Sequence, residues 1–274
     1  MPRIYAFSDG AKTPEKQPDV DTVRHMLRAI DWCEVVLCER EANLGLGESV
    51  RRGVTEVLAH HEAAIIFEDD LICVPGTYEY LSAALREYRN DERVMSVTGW
   101  THPLVIPSDV TDAPYFDGRA ECWVWGTWAR AWEGMDLDAK TLMDRCAEKG
   151  FDVYKYGADL VTMAETELER NIWAVRLLYL HILKGGLCVR PPWSMVEHIG
   201  FDEHGTNLHE EFWLKNPGLR PCPAIPAHWP DAVENPECAE LHRQQCGGRP
   251  MALPASRLSG PAWLKKLVRL MSSN

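Results

Sequence analysis

The chain has 274 residues, of which 46% are hydrophobic and 26% charged, a globular balance that excludes a disordered, collagen-like or coiled-coil protein. Forty-one acidic residues against 29 Lys and Arg give a net charge of −12, so the overall field repels polyanions and disfavours nucleic acid as a partner. No apolar run approaches the ~20 residues of a membrane-spanning helix, and no signal-peptide pattern opens the chain.

The nine cysteines favour a reducing environment. Their number is odd and none are paired at Cys-x-x-Cys spacing, which argues against a disulfide framework or a zinc site. Together with the absence of a targeting pattern, this predicts a cytoplasmic protein.

The first 75 residues alternate short apolar runs with amphipathic stretches, which predicts an α/β unit with a parallel sheet. Strands are predicted at 4–7, 34–37 and 63–67, the last covered on both faces. Helical spacing over 20–30 places Val23, Met26, Leu27 and Ile30 on one face of a helix, and Val50, Val54, Val57 and Leu58 give the next helix a buried stripe.

The rest of the chain is predicted to continue this domain to residue 216. A helix is expected over 76–88, a strand over 94–97, an irregular stretch over 101–118, helices over about 138–149 and 165–184, and a strand over 187–189. An irregular Pro- and Cys-rich wrap then covers 217–256, and a basic amphipathic tail covers 257–274.

The tail carries four basic residues and no acid. Its apolar residues fall at helical spacing opposite Lys265, Lys266 and Arg269, as in helices that lie on anionic membrane surfaces. A helix docked on its own domain fits the same pattern, so both interpretations stay open.

The acidic triplet Glu68-Asp69-Asp70 follows the apolar strand 63–67. Ligands bind at the carboxyl ends of parallel strands, and a carboxylate there can hold Mg²⁺ or Mn²⁺ that neutralises a diphosphate. Asp70 is the first candidate for that contact. A solvated acidic turn is the alternative.

Five segments together extend this interpretation: residues 8–10, 40–47, 66–71, 123–128 and 192–202. In this order and spacing the chain, over roughly 4–210, resembles bacterial GT-A-fold glycosyltransferases and, more distantly, the eukaryotic N-acetylglucosaminyltransferase I. The resemblance implies an α/β fold with a GT-A-like, mostly parallel sheet flanked by helices. It also implies a nucleotide-sugar donor bound at the strand ends.

The same resemblance implies roles for individual residues at the donor site. Asp9 matches an acid that hydrogen-bonds the uracil of a UDP donor, and Asn43 and Gly45 match a loop near the nucleotide. Within the triplet, Glu68 and Asp69 match donor contacts and Asp70 matches the ligand of Mn²⁺ or Mg²⁺. For Asp9, Asn43 and Gly45 an ordinary turn is the alternative.

On the acceptor side, Trp125 and Gly126 match a pocket-lining segment, and indole packs well on the apolar face of a sugar. A Trp-rich core explains the same residues. The expected catalytic base is less clear, because Asn171 stands where relatives often have an acid and an amide cannot accept the proton. Glu169 and Asp69 are the candidate catalytic carboxylates, with Glu165 as a further option.

Two other departures concern the ends of the matched region. Relatives usually have a strand and helix before the segment that matches 4–10, so either the sheet lacks a strand, the donor site is built differently, or the sequence lacks a piece. They also often carry a histidine where this chain has Asn207. His198, His204 and His209 are nearby and are possible replacements as Mn²⁺ ligands.

The predicted function is metal-dependent transfer of a sugar, with expected inversion, from a nucleoside diphosphate donor to a saccharide or lipid-linked hydroxyl acceptor. The basic tail makes the inner membrane surface a plausible place for this reaction. A catalytically silent nucleotide-sugar or glycan-binding homologue is the alternative. A nucleotidyltransferase is disfavoured because the N-terminal region has no Gly-rich, basic phosphate loop.

Overall fold

The computed structural model describes residues 3–199 and 218–247. Outside these ranges lie the tail 257–274 and the segment around Asn207, which includes His204 and His209. In chain order the elements are β1 (Arg3–Ser8), α1 (Gln17–Arg28), β2 (Glu34–Glu39), α2 (Leu46–Leu58), β3 (Ala63–Ile66), β4 (Leu71–Cys73), α3 (Thr77–Glu87), β5 (Val94–Thr98), β6 (Tyr115–Asp117), β7 (Trp125–Trp128), α4 (Ala129–Trp132), α5 (Ala139–Glu148), α6 (Asp159–Arg170), α7 (Ala174–Lys184), β8 (Leu187–Arg190), β9 (Val196–His198) and α8 (Cys238–Cys246).

The fold is α/β, as predicted, but its central sheet is mixed rather than mostly parallel. The five strands lie in the order β3-β7-β5-β8-β6. Strands β5 and β8 are parallel, whereas β7 runs antiparallel to both β3 and β5, and β6 antiparallel to β8. Sequence periodicity does not distinguish the two directions, because a strand whose two faces are both covered is uniformly apolar whether it is parallel or antiparallel.

Two smaller sheets flank the central one. Strands β1 and β2 form a parallel pair, and β4 and β9 form an antiparallel ribbon at the end of β3. In the described part of the chain, β1 makes no ladder with β3. Strand β1 packs instead against α2 and the residues after it: the Phe7 ring approaches Gly53 of α2, and the Tyr5 hydroxyl lies 2.7 Å from Nε2 of His61.

Two apolar clusters cover the faces of the central sheet. One joins α2 to α5, α6 and α7 around Leu142, Leu160 and Leu177, and the other places α3 against β5 around Leu81. All five residues of β5 are buried. The rigid part of the molecule is therefore the five-stranded sheet and its helices, which supports the residues at the sheet ends.

Within the described residues, the apolar face of α1 is not covered by a core. The helix has no buried residue, and Val23 and Met26 are 51% and 65% exposed. The prediction for α2 is better, since Val54 and Leu58 are buried in the core. Periodicity shows that a helix has an apolar face but not whether another element covers that face.

Three further differences concern element boundaries. The helix predicted over 165–184 is two helices, α6 and α7, separated at Asn171, whose φ of +51° is left-handed and suits asparagine. Strand β6 lies within the stretch predicted as irregular. Helix α8 lies in the predicted wrap, where buried His242 contacts Asp117 at 2.7 Å.

We find no helix in residues 3–199 or 218–247 with both the length and the apolar character needed to cross a membrane.

Candidate functional site

Three segments meet where β3 ends. The acidic triplet follows this strand directly, and the register of β7 pairs Trp125 with Ile66, so Trp123 precedes β7 at the same edge. In the neighbouring ribbon, Leu71 of β4 pairs with His198 of β9. The topology thus gathers carboxylates, an imidazole and an indole from three distant parts of the sequence.

A polar contact between side chains joins Asp70 and His198. The Nε2 atom of His198 lies 3.2 Å from Oδ2 of Asp70. The other oxygen of Asp70, Oδ1, is buried without a hydrogen-bond partner within the described residues. A buried polar atom without a partner is costly, which suggests that this oxygen meets a group other than those that the described residues supply.

The other two acids of the triplet differ in their surroundings. Asp69 is exposed. Burial, together with the charges of Asp70 and Asp69, raises the pKa of Glu68 to about 7. The three carboxylates repel one another at this strand end, and a cation would relieve that repulsion.

A metal fits this site only in part through protein ligands. Within 3–199 and 218–247, no three His, Cys, Asp or Glu side chains converge as a metal site. Asp70 and His198 would supply a carboxylate oxygen and an imidazole nitrogen, a donor set that suits Mn²⁺ better than Mg²⁺. Burial lowers the pKa of His198, although Asp70 opposes the shift, so the neutral imidazole that metals require is favoured.

Trp123 covers the imidazole. Its ring centroid lies 4.8 Å from that of His198 and 4.7 Å from that of Trp100, and its side chain is only partly buried. The next residue, Val124, is fully buried with a φ of +46°, a strained backbone for a β-branched residue. This left-handed step lies at the turn from Trp123 into β7.

Trp125 and Gly126, the predicted acceptor residues, lie in the core. Trp125 has no exposed surface and stacks on Trp132 and Trp173, with ring centroids 5.7 and 5.2 Å away. A Cβ at Gly126 would lie 3.0 Å from side-chain atoms of both Leu85 and Val97. In this structure neither residue offers surface to a sugar, and the Trp-rich core interpretation describes them.

Asp9, Asn43 and Gly45 do come together, after β1 and before α2. The Oδ2 atom of Asp9 accepts hydrogen bonds from the backbone N–H groups of Leu44 and Gly45 at 2.8 and 3.0 Å. The Asn43 side chain donates to the carbonyl of Gly10 at 2.9 Å. Asp9 therefore orders its loop, while its Oδ1 is buried without a partner within the described residues.

The corner between α6 and α7 lies against this loop. A Cβ at Gly45 would come within 2.2 Å of Asn171 Nδ2, and one at Gly47 within 2.6 Å of the Asn171 carbonyl oxygen. These two glycines thus allow the corner to approach the start of α2 closely. Sequence reasoning attributed Gly45 to a nucleotide loop and did not detect this packing.

The candidate bases Glu169 and Glu165 are both exposed on α6. Between them Glu167 is buried, accepting a hydrogen bond from Nε of Arg176 at 2.5 Å and another from the Ala139 N–H at 2.9 Å. Along the helix an exposed, a buried and an exposed glutamate follow one another at every second residue. Within the described residues, the buried side-chain hydrogen bonds belong to the middle one.

Sequence reasoning placed Trp123 within the tryptophan-rich segment but selected Trp125. It predicted no strand over 125–128, so no sequence signal separated the partly exposed Trp123 from the buried Trp125. His198 was one of three histidines considered, and only the ribbon register selects it.

Comparison with known proteins adds no relative. The chain matches no protein-family model and no curated protein significantly.

Proposed function

We propose that this protein is a metal-dependent glycosyltransferase of GT-A-like architecture, which moves a sugar from a nucleoside diphosphate donor to a hydroxyl acceptor. The observation that carries the proposal is Asp70, whose Oδ1 is buried without a hydrogen-bond partner among residues 3–199 and 218–247 while its Oδ2 contacts His198, among three adjacent carboxylates. This arrangement favours a bound divalent cation over a simple acidic turn.

Of the described residues, Asp70 and His198 would supply two ligands to Mn²⁺ or Mg²⁺. The remaining positions would go to diphosphate oxygens and water, as is common where these ions act on phosphate substrates. When bound, the ion supplies positive charge that stabilises the departing diphosphate.

The protein residues around that pair position the two substrates. Trp123, partly exposed beside His198, offers an indole face to a sugar ring. The Asp9 carboxylate offers an acceptor for a donor group of the base. The exposed side chains of Glu169 and Asp69, with Glu165 as a further option, are the candidates to accept the proton of the attacking hydroxyl.

A second candidate function is binding of a nucleotide sugar without turnover. One observation favours it: Asn171, the residue at the position of the expected acid, closes α6 in a left-handed conformation against Gly45 and Gly47. Such a position suits an amide that packs and does not require a base. The acceptor class and membrane contact of the 257–274 tail stay predictions from the sequence.

Turnover separates these functions. Hydrolysis of UDP-sugars, followed by release of UDP, should require Mn²⁺ in the wild type and fall at least a hundredfold in Asp70→Asn, because a single charge-stabilising group typically contributes about that much. Glu197→Gln, in the same ribbon as His198, is the matched control and should retain hydrolysis.

Binding of UDP with Mn²⁺ but no turnover with any acceptor tested would favour the silent homologue. Failure to bind UDP under any metal condition would overturn both functions.

A further inference from the structure

Helix α1 is held to the molecule by a cationic side chain. None of its residues is fully buried, yet Arg24 has only 12% of its side chain exposed. A long cationic side chain this far from solvent needs specific partners, so its contacts show what fixes the helix.

Arg24 binds the carboxyl ends of β1 and β2. Its Nη2 lies 2.7 Å from the carbonyl oxygen of Arg40 and 3.3 Å from those of Ser8 and Asp9, and its Nε donates to Oγ of Ser8 at 3.1 Å. The charge is partly balanced by Glu39, whose Oε2 lies 3.7 Å from Nη1.

These contacts fix the backbone of Asp9 from one side. From the other side, the N–H groups of Leu44 and Gly45 fix its Oδ2. With main chain and one carboxylate oxygen both held, the position of Oδ1 is determined as well. A guanidinium presents several donors in one plane and can bind several carbonyls together, whereas a lysine ammonium is a compact point charge.

We propose that Arg24 is a positioning residue that orients Asp9 to select the base of the donor nucleotide, an inference that rests on the proposed function. An ionised carboxylate only accepts hydrogen bonds. Held in one place, its Oδ1 can accept from the N3–H of uracil, whereas cytosine has an acceptor at N3 and could donate only from its 4-amino group, at a different position on the ring. Selectivity then depends on how firmly Oδ1 is held.

The experiment measures affinities for UDP and CDP by calorimetry at fixed Mn²⁺. The variants are Arg24→Lys and the matched control Arg28→Ala, one turn later on α1, where Arg28 is 54% exposed and pairs with Glu39. The preference of the wild type for UDP over CDP should fall about tenfold in Arg24→Lys, the loss of one or two charge-assisted hydrogen bonds. The control should keep the preference within twofold.

Hydrogen exchange of the ligand-free protein tests the positioning separately. The amides of Leu44 and Gly45 should exchange faster in Arg24→Lys but not in Arg28→Ala, while those of β5 stay unchanged. If Arg24→Lys does not fold, Ser8→Ala removes one acceptor of the guanidinium and should lower the UDP preference two- to threefold.

The outcomes are distinguishable. A wild type that binds neither nucleotide overturns the proposed function and this inference with it. A wild type that prefers UDP, combined with an unchanged preference or unchanged Leu44 and Gly45 exchange in Arg24→Lys, overturns the role of Arg24 alone.

Discussion

The three glutamates of α6 provide a sharp test, because they look alike in sequence and differ in structure. Glu167 is 3% exposed and joins three elements: its Oε1 accepts from Arg176 of α7 and its Oε2 from the Ala139 N–H at the start of α5. Arg176 is 4% exposed, and its Nη1 lies 3.4 Å from the carbonyl oxygens of Met135 and Asp136.

Glu167→Ala removes one partner of a buried ion pair and leaves Arg176 charged without it. Such changes cost about 3–5 kcal/mol, a large part of the 5–15 kcal/mol that stabilises a typical domain. Glu169→Ala, two residues later and exposed, should change the free energy of unfolding by less than about 0.5 kcal/mol.

Urea denaturation followed by circular dichroism measures both values, provided that the slopes of the transitions agree. Turnover assays on the same proteins separate stability from chemistry: Glu169→Ala should fold normally and lose activity if it is the base. A cost below about 1 kcal/mol for Glu167→Ala, or an equal cost for both variants, would refute this explanation of the α6 contacts.

Three more predictions concern packing and pH. Gly126→Ala should destabilise the protein by about 1–3 kcal/mol in urea denaturation, because the added Cβ overpacks the core, and an unchanged midpoint would contradict that packing. Burial disfavours the Asp117 anion, but Arg190 and His242 outweigh burial and hold the pKa of Asp117 well below its ordinary 3.8. The resulting stabilisation should be lost as pH falls below about 4. In unfolding experiments, Asp117→Asn should therefore reduce the loss of stability at acid pH. The fold favours protonated Glu68, so its stabilising contribution, present below pH 4.5, should be lost as pH rises through about 7. Glu68→Gln should remove that loss. If the free energy of unfolding depends on pH identically in Glu68→Gln and the wild type, Glu68 is not the group responsible.

The sequence allowed the α/β class and most helices and strands of the first half to be predicted, because local periodicity determines them. It did not show the direction of β7 or β6, which depends on pairing between distant segments. Nor did it show that α1 lacks apolar cover, since the face containing Val23 and Met26 has the same pattern whether or not another element packs on it.

The candidate site was predicted in part for the same reason. The acidic triplet after β3 follows from a local pattern, and the structure brings Asp9, Asn43 and Gly45 together at one loop, while their contact with a donor stays a prediction. Choosing Trp123 over Trp125 requires knowledge of which side chains the sheet buries. Selecting His198 requires the pairing of β4 with β9, which joins residues more than a hundred positions apart.

The most direct measurement is the free Mn²⁺ signal in electron paramagnetic resonance, titrated with protein in the presence and absence of UDP. The proposed site predicts weak Mn²⁺ binding by the protein alone, because Asp70 and His198 supply only two ligands, and at least tenfold tighter binding with UDP. Asp70→Asn should abolish that gain. Equal Mn²⁺ affinity with and without UDP, or a gain that survives in Asp70→Asn, would contradict a diphosphate held by a cation on Asp70.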